Sequence, residues 1–225
     1  MSVALITGGS AGLGLALLNA LTEQGWTVVT DGRDAERLAA VERRGVVAVA
    51  GDVADPDHRA TLVDEVRRLG RLDLLVHNAS SLGPLPLRPL QDLSVDDLRA
   101  TWDVNAGAPH ELTRGLLPWL VTAEGVLISV SSDAAVEHYP TWGAYGAGKA
   151  ALDHLTGTWA AEEDLLAYAI DPGDLRTALH QAAFPGEDIS DRPLPATVVP
   201  AFLELLRRRP APGRYRAAEL LPVGV

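Results

Sequence analysis

Strand-like and helix-like segments alternate along almost the whole chain, and this alternation limits the possible folds more than any other feature. Short apolar runs rich in β-branched residues lie at residues 3–6, 27–31, 46–50, 72–77, 126–130 and 166–170. Segments with a helical spacing of apolar residues lie between them. This order is typical of βαβ units and a parallel sheet. The sequence therefore predicts a doubly wound α/β protein with about six or seven parallel strands and helices on both faces.

The length of the chain suits a single domain. Hydrophobic cores tend to divide beyond ~250 residues, and the chain has 225, so we expect one domain over residues 1–225. Two helix starts are marked, one by Asp55 before Pro56 and one by Ser94 with Asp97 in a capping-box pattern. Residues 184–200 are rich in Pro, Gly and Asp, which predicts a surface loop or lid.

The composition excludes several classes of partner. Acidic residues outnumber basic ones by 30 to 19, and the net charge is −11 at pH 7. Nucleic acids and anionic membranes favour basic surfaces, so we expect neither as a partner. The chain has no apolar run long enough for a membrane span and no signal-peptide pattern, which predicts a cytoplasmic protein. Cysteine is absent and no histidine pairs with carboxylates at metal-ligand spacing, so no metal is predicted.

A glycine-rich turn joins the first predicted strand to the first helix. Its residues are Thr7, Gly8, Gly9, Ser10, Ala11, Gly12, Leu13 and Gly14. Glycines let a backbone approach a pyrophosphate, and the helix N-terminus offers free N–H groups and a positive dipole end to the anion. Alternatively, the turn needs glycine only for positive φ angles. The end of the second strand provides an independent check on a dinucleotide site.

That strand ends in Asp31, Gly32 and Arg33. In dinucleotide folds this point reaches the adenosine ribose, where an acidic residue accepts from the 2′-hydroxyl of NAD and an arginine pairs with the 2′-phosphate of NADP. Gly32, 18 residues beyond Gly14, stands where an NAD enzyme would carry its acidic residue, and Arg33 follows. We therefore predict NADP(H) as the preferred cofactor. NAD(H) stays open as the alternative, in which Asp31 reaches the ribose.

A serine, a tyrosine and the only lysine of the chain form a third pattern. Ser131 and Ser132 follow the strand at 126–130, Tyr145 comes 13 residues after Ser132, and Lys149 lies one helical turn later. A phenol with a pKa near ~10 is a poor acid or base at neutral pH, and a nearby ammonium is expected to lower that pKa. A serine hydroxyl can hold a substrate oxygen in line for proton and hydride transfer. The other 18 basic residues are all arginine, which argues against a chance match at Lys149.

Together these motifs resemble, in type and in order, those of the short-chain dehydrogenase/reductase family, and the resemblance covers nearly the whole chain. It implies a Rossmann fold in which Tyr145 and Lys149 act with Ser132, preferred to Ser131 by its interval. It places Asn105 where the family has an asparagine that holds a proton-relay water near the lysine. The glycine-rich turn, Gly32 and Arg33 are cofactor contacts in this resemblance. It implies further cofactor contacts from Asp52, Val53, Asn78, Ala79, Ser80, Tyr145, Lys149, Pro172, Gly173, Leu175 and Thr177.

The resemblance also implies an activity. It indicates an NADPH-dependent oxidoreductase that reversibly reduces a ketone or aldehyde to an alcohol, acts on a small molecule and forms a homodimer or homotetramer. The substrate would lie beside residues 174–200, the loop or lid, and touch Ser81, Leu82, His138, Trp142, His180 and Phe184. A lone loop histidine is also typical of a surface or packing residue. The alternative function is a non-catalytic NADP(H)-binding regulator on the same fold, although such proteins lose the tyrosine or the lysine.

Three positions depart from the family pattern. His77 and Ser80 stand where the family usually has asparagine and glycine, beside the predicted nicotinamide site. The usual closing glycine pair is missing, and the segment Gly213–Arg216 with a short apolar tail stands at the C-terminus instead. This last change puts the common tetramer in doubt.

Overall fold

A seven-stranded parallel sheet forms the centre of the molecule. The structure is a computed structural model that describes residues 1–221. The strands lie in the order β3-β2-β1-β4-β5-β6-β7, and each pair of neighbours is parallel. They are β1 (Val3–Ile6), β2 (Thr27–Gly32), β3 (Val46–Ala50), β4 (Leu74–His77), β5 (Val126–Val130), β6 (Leu166–Asp171) and β7 (Gly213–Arg216). The prediction of a single doubly wound α/β domain is confirmed.

Helices cover both faces of this sheet. The described residues contain α1 (Gly12–Glu23), α2 (Ala35–Ala39), α3 (Pro56–Leu69), α4 (Val95–Trp102), α5 (Ala108–Thr122), α6 (Gly143–Glu162), α7 (Ala178–Ala183), α8 (Val199–Arg208) and α9 (Ala217–Leu220). A π-helical turn at Asp103–Gly107 joins α4 to α5. Within residues 1–221, no helix has the length and apolarity needed to cross a membrane.

Alternate residues of the strands pack into two separate cores, one on each face of the sheet. Ala4 and Ile6 of β1 belong to the core that contains α1 and α8. Val3 and Leu5 belong to the core that contains α3 and α5. Because side chains of a strand alternate in direction, a central parallel strand must be apolar on both faces. This explains why the central strands appear in the sequence as continuous apolar runs.

Both predicted helix starts are confirmed. The Asp55 carboxylate accepts from the N–H of Asp57 at 3.0 Å, and Pro56 is the first residue of α3. Ser94 and Asp97 form a reciprocal capping box at the start of α4.

The strands differ from the predicted ones at a few ends and by one addition. β4 begins at Leu74 rather than at residue 72, whereas β2 and β6 each extend one residue further. The seventh strand, Gly213–Arg216, was not predicted because it alternates charged residues with Gly and Tyr and has no apolar run. It lies at the edge of the sheet, where Arg214 pairs with Ala169 of β6. An edge strand has one partner, so a short polar segment suffices there.

The predicted lid contains more regular structure than its composition indicates. Residues 174–200 include α7, the 3₁₀ turn Pro195–Val198 and the first residues of α8. The irregular stretch between them is fixed from one side by Arg176, whose N–H donates to the Pro193 carbonyl at 2.8 Å and whose guanidinium donates to Ser190 and Arg192 carbonyls.

Candidate active site

A cleft of about 440 Å³ runs along the carboxyl ends of the strands. Parallel α/β sheets bind ligands at this edge, at the point where the strand order reverses. In this sheet the point lies between β1 and β4. Of the residues predicted to bind cofactor or substrate or to act in catalysis, most line the cleft. Those that do not line it are Thr7, Gly9, Gly14, Asn105, His138 and Phe184.

Thr7, Gly9 and Gly14 shape the glycine-rich turn from behind. A Cβ on Gly14 would lie 2.4 Å from the Gly8 carbonyl oxygen, and one on Gly9 would lie 2.1 Å from the Thr30 hydroxyl. The Thr7 hydroxyl accepts from the N–H groups of residues 78 and 79, both at 3.0 Å, and so ties the turn to the end of β4. The glycines are therefore needed for close packing as well as for backbone angles.

The first turn of α1 can receive an anion. Its N-cap, Ala11, provides no side-chain cap, and no acidic residue lies in the first turn. Gly12 and Leu13 line the cleft with this helix end. Gly12 has a φ of +55°, which favours glycine. Uncapped N–H groups at a helix N-terminus suit a phosphate, so this turn fits the pyrophosphate of a dinucleotide.

Asp31 is bound within the protein through both of its carboxylate oxygens. The Gly8 N–H donates to one carboxylate oxygen at 2.6 Å, and His58 Nε2 lies 3.0 Å from the other. Asp31 is 2% exposed, and His58 fits above Gly51, where a Cβ would lie 2.1 Å from the imidazole. Both oxygens of Asp31 thus have partners that hold the glycine-rich turn in place. The sequence gives no signal for the contribution of His58.

Arg33 instead lies at the open end of the cleft. Its side chain is 76% exposed, and its closest carboxylate oxygen, on Asp52, is 3.9 Å away. Gly32 lies against Ser10, whose hydroxyl would be 2.7 Å from a Cβ at that position. Arg37, which sequence reasoning missed, lines the same end. Its position in the short helix that follows β2 is the signal that could have found it, and its guanidinium lies 3.1 Å from an Asp34 carboxylate oxygen.

Lys149 is buried at the opposite end of the cleft. It is 2% exposed, and its ammonium donates to the Val130 carbonyl at 2.6 Å. The Nζ atom lies 5.7 Å from the centre of the Tyr145 ring. Burial lowers the pKa of Lys149 to about 8, and the charge of Asp153 partly opposes this shift. The amine therefore carries its charge at pH 7 at a cost in desolvation.

Tyr145 is also buried, and its acidity differs from our expectation. Burial raises the pKa of Tyr145 to about 12. Hydrogen bonding to Ser132 and Ser80 lowers the pKa, whereas the charges of Asp133 and Asp171 raise it. The expected lowering by Lys149 is not among the causes of this shift, and burial dominates it because a desolvated phenolate is costly. At neutral pH the phenol keeps its proton.

Ser132 follows β5 and opens a short 3₁₀ turn. Its hydroxyl lies 3.0 Å from an Asp133 carboxylate oxygen and accepts from the Ala134 N–H at 3.2 Å. The other oxygen of Asp133 accepts from the Tyr139 hydroxyl at 2.9 Å. Asp133 lines the cleft and was missed in the sequence, although it directly follows Ser132. It gives the serine hydroxyl an acceptor that fixes its direction.

Asn105 does not line the cleft, and its role in holding a relay water stays a prediction. Asn105 is 1% exposed within the π-helical turn. Its amide oxygen accepts from the Ser81 N–H at 2.8 Å and the Ser80 hydroxyl at 3.1 Å, and its amide nitrogen donates to the Ser81 carbonyl at 2.8 Å. The side chain is thus bound to the loop after β4, where it positions Ser80 and Ser81.

A cluster of aromatic side chains lies at the end of the cleft that contains Tyr145. Trp142 meets Tyr145 edge to face with ring centres 5.5 Å apart. Phe184 lies behind this layer, with its ring centre 5.9 Å from that of Trp142 and 4.9 Å from that of His180. Ser81, Leu82, Trp142 and His180 line the cleft, whereas Phe184 lies behind it, and the substrate contacts of all five stay predictions. His138 is exposed on the loop before α6 and lies outside the cleft.

His77 is a neutral neighbour of the lysine. It is buried at the end of β4, and its Nε2 lies 2.7 Å from the Thr113 hydroxyl. Burial lowers the pKa of His77 to about 3, and repulsion from Lys149 adds to this effect. The imidazole therefore adds no second positive charge beside Lys149 at pH 7.

The segment after β6 completes the cleft. Asp171 accepts from the Gly173 N–H at 3.0 Å, and Gly173 has a φ of +74°. Thr177 caps α7 by accepting from the His180 N–H at 3.1 Å, and its methyl group would lie 3.4 Å from a Cβ on Gly12. The segment after β6 therefore approaches the glycine-rich turn closely. Asp171 was missed, although it directly precedes the Pro-Gly pair.

Known proteins share this sequence and fold. The family model for short chain dehydrogenase matches residues 2–188. An uncharacterized oxidoreductase of Schizosaccharomyces pombe is 30% identical over 181 residues, which cover 79% of this chain and 72% of the relative. An L-fucose dehydrogenase of Bos taurus is 33% identical over 183 residues, which cover 79% of this chain and 67% of that protein.

Solved structures agree over nearly the whole chain. A short chain dehydrogenase of Shigella flexneri complexed with NADP superposes with a TM-score of 0.89 at 29% identity, covering 96% of this chain and 97% of the other. One of Escherichia coli complexed with NADPH gives a TM-score of 0.88 at 29% identity and covers 96% of each chain. Since the family model matches residues 2–188 and the fold matches over 96% of the chain, this chain is an oxidoreductase that belongs to the short-chain dehydrogenase/reductase family.

Proposed function

We propose that the protein is an NADP(H)-dependent oxidoreductase that interconverts a small ketone or aldehyde and the corresponding alcohol. The observation that carries this proposal is the arrangement of Ser132, Tyr145 and Lys149 at one end of the cleft, whose other end has an uncapped helix N-terminus and Arg33. One end suits proton transfer, and the other suits phosphate groups.

The side chains support a proton-transfer role in the direction of reduction. A bound nicotinamide would supply the hydride. Tyr145, which holds its proton at neutral pH, donates that proton to the carbonyl oxygen, while the Ser132 hydroxyl turns from Asp133 to donate a hydrogen bond to the same oxygen. The Lys149 ammonium, 5.7 Å from the centre of the ring, then stabilises the phenolate. In the direction of oxidation the phenolate accepts the alcohol proton.

The walls of the cleft favour NADP(H) over NAD(H). Each Asp31 oxygen is already bound, one by Gly8 and the other by His58, which leaves this carboxylate less available to a ribose 2′-hydroxyl. Arg33 and Arg37 lie at the same end with exposed side chains that can reach a 2′-phosphate. Two structural neighbours are complexes with NADP or NADPH, which supports the same choice.

The Arg33→Leu variant tests this preference. Removing hydrogen bonds to a charged group costs ~1.5 to 3 kcal/mol, and the exposure of Arg33 favours the low end, so NADPH affinity should fall roughly tenfold. NADH affinity should be unchanged. The control is Arg44→Leu, an exposed arginine outside the cleft. Equal losses for NADPH and NADH, measured by fluorescence titration, would refute the phosphate contact.

Turnover tests the activity itself. We expect the protein to reduce members of a panel of small ketones and aldehydes, followed by the loss of NADPH absorbance. Tyr145→Phe keeps the ring and removes the acid, so turnover should fall by about 10² or more while NADPH affinity stays the same. Tight NADPH binding with no turnover on any panel member would favour a non-catalytic regulator instead.

The substrate end, the lid and the assembly are further parts of this proposal. Leu82, Trp142 and His180 would contact the substrate, with residues 174–200 as the covering segment. A cytoplasmic homodimer or homotetramer is still the expectation for the assembly. Light scattering of the purified protein would measure its oligomeric state directly.

A further inference from the structure

We propose that Arg214, on the edge strand β7, is a positioning residue that fixes the main chain of Ser132 and balances the carboxylates behind the proton-transfer site. This inference rests on the proposed function. It concerns the C-terminal segment that departs from the family pattern, for which that function gives no role.

Arg214 connects three separate elements. One guanidinium nitrogen, Nη2, donates to the Ser132 carbonyl at 2.9 Å and lies 3.3 Å from an Asp171 carboxylate oxygen. The Nε atom donates to Asp153 at 3.1 Å. The Asp153 oxygen involved also accepts from the Ser131 hydroxyl at 2.7 Å. A single side chain therefore joins the end of β5, the end of β6 and helix α6, the helix that bears Tyr145 and Lys149.

The location of these groups makes the contacts strong. Asp171 and Asp153 have side chains that are 8% and 14% exposed, and the side chain of Arg214 is 25% exposed. Buried carboxylates are costly unless they are paired and hydrogen-bonded. A planar guanidinium with several fixed donors can serve two carboxylates and a carbonyl at once, which an ammonium cannot do with the same geometry.

Arg214 also affects the two titrating groups of the site. The charge of Asp171 raises the pKa of Tyr145, and the charge of Asp153 opposes the burial-driven lowering of the pKa of Lys149. The other carboxylate near the phenol is Asp133, which is bound to Tyr139, and the nearby positive charge is that of Lys149. Without Arg214, Asp171 would lose its positive partner and would disfavour the phenolate more strongly.

Attachment of β7 to the sheet does not require this side chain. The strand pairs with β6 along its whole length. Tyr215 points to the opposite face, where its ring centre lies 5.9 Å from that of Tyr168, and the Tyr168 hydroxyl donates to the Pro210 carbonyl at 2.8 Å. The contacts of Arg214 are therefore separable from those that hold the strand.

The experiment compares Arg214→Gln and Arg214→Lys with the matched control Arg216→Gln, an exposed arginine two residues along the same strand. With NADP⁺ and an alcohol substrate, Arg214→Gln should lower kcat about tenfold with little change in KM, and should move the pH midpoint of kcat upward by about 0.5 to 1 unit. Arg214→Lys should restore the midpoint but only part of kcat. Arg216→Gln should match the wild type. An unchanged pH midpoint of kcat in Arg214→Gln would overturn the inference, even if the variant has a lower kcat and a lower Tm.

A second measurement separates this inference from the proposed function. The titration of Tyr145 can be followed by NMR in protein labelled with [ζ-¹³C]tyrosine, with and without NADP⁺, and assigned with Tyr145→Phe. The midpoint should be higher in Arg214→Gln than in the wild type even if no alcohol substrate is found, and equal midpoints would overturn the inference. If Arg214→Gln does not fold, the same comparison is made between the Arg214→Lys and wild-type proteins. In that case Arg214→Lys should keep the wild-type midpoint with a lower kcat. A kcat for Arg214→Lys equal to that of the wild type would overturn the role of the guanidinium geometry.

Discussion

Replacement of Lys149 by Met should stabilise the protein at neutral pH while removing its activity. The amine is 2% exposed, and burial lowers its pKa from 10.5 to about 8. A shift of about 2.5 units, at ~1.36 kcal/mol per unit, corresponds to about 3 kcal/mol of unfolding free energy lost at pH 7. Methionine is of similar length and carries no charge. The lost hydrogen bond to the Val130 carbonyl offsets ~1 to 2 kcal/mol of this gain.

The pH dependence isolates the cost of the charge. Between the folded and unfolded pKa values of Lys149, the unfolded chain binds more protons than the folded protein. The wild type is therefore stabilised as pH rises through this window, and Lys149→Met is not. At pH 9.5 about 1 kcal/mol of the cost remains, so the stability advantage of the variant should shrink by about 2 kcal/mol between pH 7 and 9.5.

Urea unfolding followed by tryptophan fluorescence measures this difference at both pH values. Lys149→Arg is the matched control, because a guanidinium keeps its proton above pH 12 and its cost should not fall as the pH rises. Turnover by Lys149→Met should fall by about 10² or more under any of these conditions. A stability difference between Lys149→Met and wild type that is the same at pH 7 and 9.5 would refute the reasoning.

Three further results are expected. Gly14→Ala should lower Tm and weaken NADPH binding, because its Cβ would lie 2.4 Å from the Gly8 carbonyl oxygen. Its control is Gly157→Ala in α6, where the added Cβ would meet no neighbouring atom within 4 Å. This variant should raise the free energy of unfolding by about 0.5 to 1 kcal/mol. Asp55→Ala should cost about 1 kcal/mol of unfolding free energy by removing the cap of α3, as measured with urea. The rate of alcohol oxidation at saturating substrate should rise with pH from 7 to 10, because burial raises the pKa of Tyr145 and only the phenolate accepts the proton; a flat profile would contradict that role.

The sequence predicts the parts of this molecule that local patterns determine. The central strands are buried on both faces, so they appear as apolar runs, and the caps at Asp55 and Ser94 use a side chain within three residues of its partner. The glycine-rich turn is visible for the same reason, since strand, glycines and helix are contiguous. β7 has no such pattern, because an edge strand of four residues is held by pairing with β6.

The contacts that the sequence does not reveal join residues far apart in the chain. His58 and Asp31 are 27 residues apart, and Arg214 and Ser132 are 82 apart. Nothing in either local sequence marks such a pair, because the partners become neighbours only when the strand ends meet at one edge of the sheet. The contacts of the Asn105 amide are hidden for the same reason, because the loop that the amide binds comes from the end of β4.

Lys149 and Arg214 show why one position needs lysine and the other arginine. Lys149 donates to a backbone carbonyl in a buried site, where an amine can reduce the cost of its charge by releasing a proton near its lowered pKa. A guanidinium has no such route, so an arginine can be placed behind the site only where carboxylates compensate it, as Asp153 and Asp171 do for Arg214. In a chain with 18 arginines and one lysine, a general preference for arginine accounts for the surface, and the need for a compact ammonium beside the buried Tyr145 ring accounts for the exception.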